Sequence, residues 1–218
     1  MIAGARLKGL DVTTECYPYT ATQTNIESAV YDGDWRGSWG IDYGDLQWIE
    51  TGERLSAVTF AKYRKEGGLV IAHSIPGEVV TSTVADPSVI IASDGILAEG
   101  KGHPRGSGSF ARLLGKYVRE DKMISLNEGI RKITLMPAKR LEQICPMMKD
   151  KGRIRIGGDA DITIFDPEEI LDQATYEEPA RYSKGIIYVI VNGVIVVEDS
   201  RLLENIFPGK GVRGVVRE

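Results

Sequence analysis

Cysteine and histidine are almost missing from this sequence: 218 residues hold two of each, Cys16 and Cys145, His73 and His103. Two distant thiols exclude a disulfide scaffold and a four-cysteine zinc site, and two histidines exclude a self-contained histidine-rich metal centre. Long apolar runs are lacking too, and none approaches the ~20 residues that cross a bilayer. The opening residues Met1 to Leu7 hold no basic stretch followed by an apolar one, so no leader is expected there. No block of Lys or Arg occurs, and 27 basic against 31 acidic residues leave a net charge of -4. That balance argues against nucleic acid or an anionic membrane surface as a partner. Neither a phosphate-binding Gly-x-x-x-x-Gly-Lys-Ser/Thr pattern nor a dinucleotide fingerprint is present, so a nucleotide site is not expected. What is left is a cytoplasmic globular chain, with 42% hydrophobic residues to build a core and a small polar metabolite as the expected ligand.

The pattern changes near Lys149-Asp150-Lys151-Gly152. Before it, helical and apolar stretches alternate; after it, strands dominate, so residues 1–150 and 151–218 are expected to be separate units. Asp11 to Cys16, Leu69 to His73 and Val89 to Ser93 read as short strands. Pro76 to Ala85 reads as a helix between the last two, and together they suggest a βαβ unit. Glu53 to Glu66 has near-helical apolar spacing and a stop at Gly67-Gly68. Phe110 to Glu120 is amphipathic, Ser125-Leu126-Asn127-Glu128 is a capping-box pattern, and Pro137 suits a helix start. Arg153 to Ile156 and Asp161 to Phe165 alternate like half-buried strands. Ile186 to Val191 and Val194 to Val197, joined by Asn192-Gly193, form the strongest hairpin signal. Tyr31 to Glu50 holds all three tryptophans without a clear period and reads either as a lid or as a packed surface loop.

In a parallel α/β sheet, ligands sit at the carboxyl ends of the strands, where Tyr17, His73 and Asp94 are expected to converge. Asp94 ends an apolar strand and precedes Gly95. A carboxylate there can ligate a metal and take a proton from an attacking water, or it can only cap the turn. Arg105 lies in the glycine-rich stretch Gly102 to Gly108. Its planar fork matches a carboxylate in two parallel hydrogen bonds, although a surface arginine has the same local pattern. His103 reads as a loop hydrogen-bonder and His73 as a strand-end histidine able to touch substrate or metal. Tyr17 and Tyr19 read as packing aromatics, and Cys145 is assigned no role.

Several segments together resemble the N-acyl-D-amino-acid deacylases (D-aminoacylases) of the amidohydrolase superfamily, in their C-terminal portion. They are Asp11-Val12-Thr13 through Tyr17-Pro18-Tyr19-Thr20-Ala21, Ala92-Ser93-Asp94-Gly95, His103-Pro104-Arg105 through Phe110, and Leu114-Gly115 with Tyr117 to Glu120. Further matches are Arg131 to Thr134 with Pro137-Ala138, Gly152-Arg153-Ile154, Gly158 to Asp161, Phe165-Asp166-Pro167 and Val191-Asn192-Gly193. The resemblance spans nearly the whole chain in order, and implies an α/β fold: the last strands and helices of a metal-dependent TIM-type barrel, then the C-terminal part of a small β-sandwich. It implies hydrolysis of the amide C–N bond of N-acyl-D-amino acids by metal-activated water, with zinc as the family metal. By resemblance Asp94 is the catalytic acid/base and touches the metal, Arg105 holds the substrate carboxylate, and Tyr17 contacts substrate. Gln23 stands where the family has a small hydroxyl residue.

The family's His-x-His pair, cysteine ligand and later metal histidines have no counterpart here, and a whole barrel takes about 250 residues. The chain is therefore expected to be incomplete as an enzyme, not to hold zinc stoichiometrically alone, and to self-associate or join an N-terminal partner chain through exposed sheet edges. The alternative is a non-catalytic truncated relative that binds a carboxylate ligand or a partner protein.

Overall fold

The computed structural model describes residues 1–215. A short helix α1 (Ile2–Leu7) leads to β1 (Thr14–Cys16), and β2 (Thr22–Asn25) follows the Tyr-Pro-Tyr turn. Helix α2 (Trp35–Trp39) starts where Asp34 accepts the Gly37 N–H at 3.0 Å, and β3 (Leu46–Trp48) comes next. Helix α3 (Ala57–Glu66) opens with a reciprocal cap: the Ser56 hydroxyl accepts the Thr59 N–H, and the Thr59 hydroxyl accepts the Ser56 N–H. Then come β4 (Leu69–Ala72), α4 (Gly77–Ala85), β5 (Val89–Ile91) and the two-residue strands β6 (Leu97–Ala98) and β7 (Lys101–Gly102). Helix α5 (Arg105–Arg112) runs on through wider π-type turns from Leu113 to Glu120. Helices α6 (Leu126–Ile133) and α7 (Leu135–Leu141) precede four strands, β8 (Ile162–Phe165), β9 (Ile186–Val191), β10 (Val194–Glu198) and β11 (Arg201–Leu202).

Strands β1 and β5 pair in parallel, Cys16 opposite Ile91. Strands β2, β4 and β3 form an antiparallel sheet in that order, with Gln23, Ile71 and Gln47 in one row. Side chains alternate across a strand, so Val70, Ala72, Leu46 and Trp48 share the other face. That face is covered by Tyr31, Trp35 and Tyr63, with Trp39, Tyr43 and Phe60 packed around them. The tryptophan-rich stretch is thus a packed aromatic cluster on the face opposite Gln23 and Gln47. Ile91 packs with Val80 and Val84 of α4 and with Leu113 and Tyr117 beyond α5. Ala111, Leu114 and Ile170 join the same long helix to Phe165 and Ile186 of the C-terminal sheet. Each such fully buried side chain contributes roughly 1.5–3 kcal/mol of transfer free energy. Lys132 of α6 is wholly buried and donates to the Asp86 and Val89 carbonyls, pinning the start of β5.

The Asn192-Gly193 hairpin forms as its residues require, with φ of 47° and 78° at the two turn positions. Four local expectations are corrected. First, β4 does not pair with β5 as a βαβ unit; it joins β2 and β3 in antiparallel fashion, and β5 pairs with β1. All four residues of β4 are apolar, a pattern that carries no information on the partner strand. Second, Arg153 to Ile156 is not a strand. Ile154 and Ile156 are fully exposed, and ion pairs from Arg153 to Glu142 and from Arg155 to Asp150 hold the segment as a surface turn. Third, Arg105 to Gly108 of the glycine-rich stretch form the first turn of α5 rather than a loop. Fourth, only half of the expected capping box at α6 forms. The Ser125 hydroxyl accepts the Glu128 N–H at 3.2 Å, but the Glu128 carboxylate turns to Arg131.

Candidate active site at the ends of the parallel strands

Because Cys16 lies beside Ile91, the two strands release their next residues on one side, and the Ala92 N–H still donates to the Cys16 carbonyl at 2.9 Å. Tyr17 and Asp94 emerge there together. Asp94 takes a left-handed backbone (φ 45°), a conformation that aspartate tolerates better than most residues. Its neighbour Gly95 lies so close to α5 that an added Cβ would stand 2.1 Å from the Gly106 Cα. Only glycine permits this approach, and it brings the Asp94 carboxylate to the first residue of α5.

That residue is Arg105. An Nη atom of its guanidinium is 2.9 Å from the Asp94 carboxylate, and the group lies over the Tyr17 ring, 4.3 Å from the ring centre. The Arg105 side chain is 3% exposed, whereas that of Asp94 is 71% exposed. The guanidinium also donates to the Gln23 carbonyl at 3.4 Å, but its Nε–H is buried with no partner. An unpaired buried donor costs about 1–3 kcal/mol. Burial pushes the Tyr17 hydroxyl above its ordinary pKa, and the adjacent Arg105 charge opposes the rise. The three residues singled out from the sequence therefore meet in one cluster.

His103 is completely buried behind them. Its Nδ1 accepts the Arg105 backbone N–H at 3.0 Å, so its Nε2 carries the proton and donates to the Ala21 carbonyl at 2.9 Å. Burial, then the nearby Arg105 charge, push its pKa down to about 3. His73 is held through Nε2 by the Gln47 side chain at 3.0 Å and reaches the cluster through the Tyr176 ring, which lies between His73 (4.7 Å) and His103 (5.2 Å).

Other contributors carry no local sequence signal. Asp172, 6% exposed, pairs with Arg112 at 3.0 Å and accepts the Tyr19 hydroxyl at 3.1 Å. Arg112 also donates to the Pro18 carbonyl at 2.8 Å, so the Tyr17-Pro18-Tyr19 turn is braced by a partly buried ion pair. Asp172 and Tyr176 come from the far side of the change in pattern at residue 150, and no motif marks them. Gln47 is silent in the sequence for the same reason.

Zinc does not find a complete ligand set here. Among the described residues no three His, Cys, Asp or Glu side chains gather in a way that would hold a metal ion. Both His103 nitrogens are committed, and Asp94 is a single carboxylate donor.

The amidohydrolase family model matches residues 79–197. The chain is 33% identical over 199 residues to the N-acyl-D-glutamate deacylase of Alcaligenes xylosoxydans xylosoxydans, covering 88% of this chain and 40% of that protein. The crystal structure of a D-aminoacylase superposes with a TM-score of 0.75 at 26% identity, over 94% of this chain and 43% of that one. The N-acyl-D-glutamate deacylase of Bordetella bronchiseptica, solved with zinc and a phosphonate that mimics the tetrahedral intermediate, gives 0.75 at 29% identity, over 89% and 41%. This chain thus spans about two fifths of the length of these relatives. With more than half of its residues inside the match, this α/β chain belongs to the amidohydrolase family.

Proposed function

We propose that this chain serves hydrolysis of the amide C–N bond of N-acyl-D-amino acids, supplying the acid/base and carboxylate-binding side of the site. In this reading β1, β5 and their helices, within residues 1–150, are the last part of a barrel, and residues 151–218 are a β-sandwich segment. Asp94 takes a proton from the attacking water and returns it to the leaving amine, work suited to an exposed carboxylate at a strand end. Arg105 grips the α-carboxylate of the substrate through its side-on edge, and the Tyr17 ring beneath keeps the fork planar to it. Among the described residues Asp94 is the one candidate metal ligand, and a partner chain or an N-terminal half would supply the remaining ligands of a zinc site. The observation that carries the reading is the convergence of Tyr17, Asp94 and Arg105 around a buried guanidinium with an unpaired Nε–H.

Metal analysis of the purified chain, its mass in solution and an N-acetyl-D-amino-acid hydrolysis assay test this reading together. The chain alone is expected to bind the N-acetyl-D-amino acid without turning it over. Addition of a complementary metal-binding chain is expected to restore hydrolysis, and Asp94→Asn in that assembly to lower kcat by about 10²–10⁴. Turnover unchanged by Asp94→Asn, or no carboxylate binding, overturns the assignment. A second reading, a carboxylate-binding module without catalysis, is favoured by the single metal-ligating carboxylate, and predicts binding that no added chain converts into turnover.

A further inference from the structure

We propose that His103 is the positioning residue that sets the Arg105 guanidinium and the Tyr17 ring as one carboxylate-recognition unit. The inference rests on the carboxylate-binding role of Arg105 and assigns the part that holds it in place. The first N–H groups of a helix have no partner within it. At α5 the backbone N–H of Arg105 is satisfied by the ring Nδ1 of His103, two residues earlier, at 3.0 Å. Pro104 between them has φ -57°, so the connection has little freedom. On its other edge the ring donates to Ala21, at the end of the Tyr-Pro-Tyr turn, at 2.9 Å. The His103 backbone N–H donates to the Gln23 side chain at 2.9 Å, and Gln23 donates in turn to the Ile96 carbonyl at 3.3 Å, two residues beyond Asp94. The ring faces Tyr17, Tyr19 and Tyr176 at 6.2, 5.4 and 5.2 Å between centroids. The His103 side chain therefore ties the segment carrying Tyr17 to the backbone of Arg105, while its backbone N–H reaches the turn carrying Asp94 through Gln23. A protonated ring would aim an N–H at an N–H and place a second cation beside the guanidinium.

Two isosteric substitutions separate the contacts. In His103→Asn the side-chain oxygen falls where Nδ1 stands and keeps the acceptor for Arg105. In His103→Gln the amide nitrogen falls where Nε2 stands and keeps the donor to Ala21. Titration of the chain with N-acetyl-D-glutamate, followed by calorimetry and by the Arg105 Nε–H and Tyr17 ring resonances, is expected to show about tenfold weaker binding for His103→Gln. His103→Asn is expected to stay within about threefold of the native chain. Equal affinity in all three, or equal weakening in both variants alongside equal loss of Tm, overturns the positioning role. Arg105→Lys is the control for the underlying reading. If it binds as the native chain does, Arg105 is not the carboxylate site. If it loses binding while both His103 variants keep it, the positioning inference alone fails. Should the native chain not bind the probe, the carboxylate reading falls, and the positioning role is judged without ligand. His103→Gln must then shift the Arg105 Nε–H and Tyr17 resonances and His103→Asn must restore them; otherwise it falls too.

Discussion

Lowering the pH from 7 to 5 is expected to remove stability from this protein through one buried ring. His103 is 0% exposed, both its nitrogens are engaged, and its pKa is pushed from the ordinary 6.5 down to about 3, first by burial and then by the Arg105 charge. The unfolded chain therefore binds a proton below pH 6.5 that the folded chain refuses until about pH 3. Protonation favours the unfolded state across that window, so stability is full above 6.5 and falls as the pH drops toward 3. Integrated over the two protonation equilibria, the loss is about 0.7 kcal/mol by pH 6 and about 2 kcal/mol by pH 5. Urea unfolding at pH 7, 6 and 5 reads this directly as a shift of midpoint at constant slope. The window is clear of most other groups, because the chain has only two histidines and the carboxylates with altered pKa, Asp42, Asp86, Glu128 and Asp161, are shifted downward. They act nearer pH 4 and below. His73, pushed down by burial and then by Arg54, adds in the same direction and is removed by His73→Gln. His103→Asn is expected to lose the His103 part of the slope. A slope in His103→Asn equal to that of the native chain would refute the reasoning.

Three other outcomes follow from the packing around the site. Asp172→Ala strands the Arg112 guanidinium and the Tyr19 hydroxyl, and is expected to cost about 2–4 kcal/mol in denaturant unfolding; a loss under 1 kcal/mol would place the pair among ordinary surface ion pairs. Gly95→Ala puts a Cβ 2.1 Å from the Gly106 Cα. It is expected to cost about 1–3 kcal/mol and to part Asp94 from Arg105, visible as a shift of the Arg105 Nε–H resonance; an unmoved resonance would show that the turn relaxes elsewhere. Arg105→Lys is expected to weaken N-acetyl-D-amino acids with a free carboxylate and to spare their amidated analogues, because lysine offers no planar fork. Equal loss on both in a binding titration would refute the bidentate contact.

Local features were readable wherever a local rule governs them. The Asn192-Gly193 turn needs positive φ at two adjacent positions, and few dipeptides other than Asn-Gly provide it readily. The stop after α3 at Gly67 and the helix between Pro76 and Asp86 rest on equally local backbone chemistry. Asp94 and Arg105 were candidates at a strand end and beside glycines, Tyr17 became one only through the family resemblance, and the structure brings all three together. Alternation at Arg153 to Ile156 satisfies the strand pattern, but ion pairs to Glu142 and Asp150 hold the segment at the surface and Gly157 (φ 79°) turns the chain.

The sequence by itself determined the periodicities, caps and turns, which depend on interactions among residues a few positions apart; the three residues at which chemistry is expected came from the resemblance of the whole run of motifs to a family. Only the tertiary structure decided that β5 lies beside β1 rather than β4, that the tryptophans pack away from the site, and that Asp172 and Tyr176 arrive from beyond residue 150 to support it. An all-apolar strand fits several partners equally well, and a lone Asp or Tyr has no local pattern. The choice falls to long-range packing and to the need of buried polar groups, such as the Asp172 carboxylate and the Tyr19 hydroxyl, for partners that no short window of sequence contains.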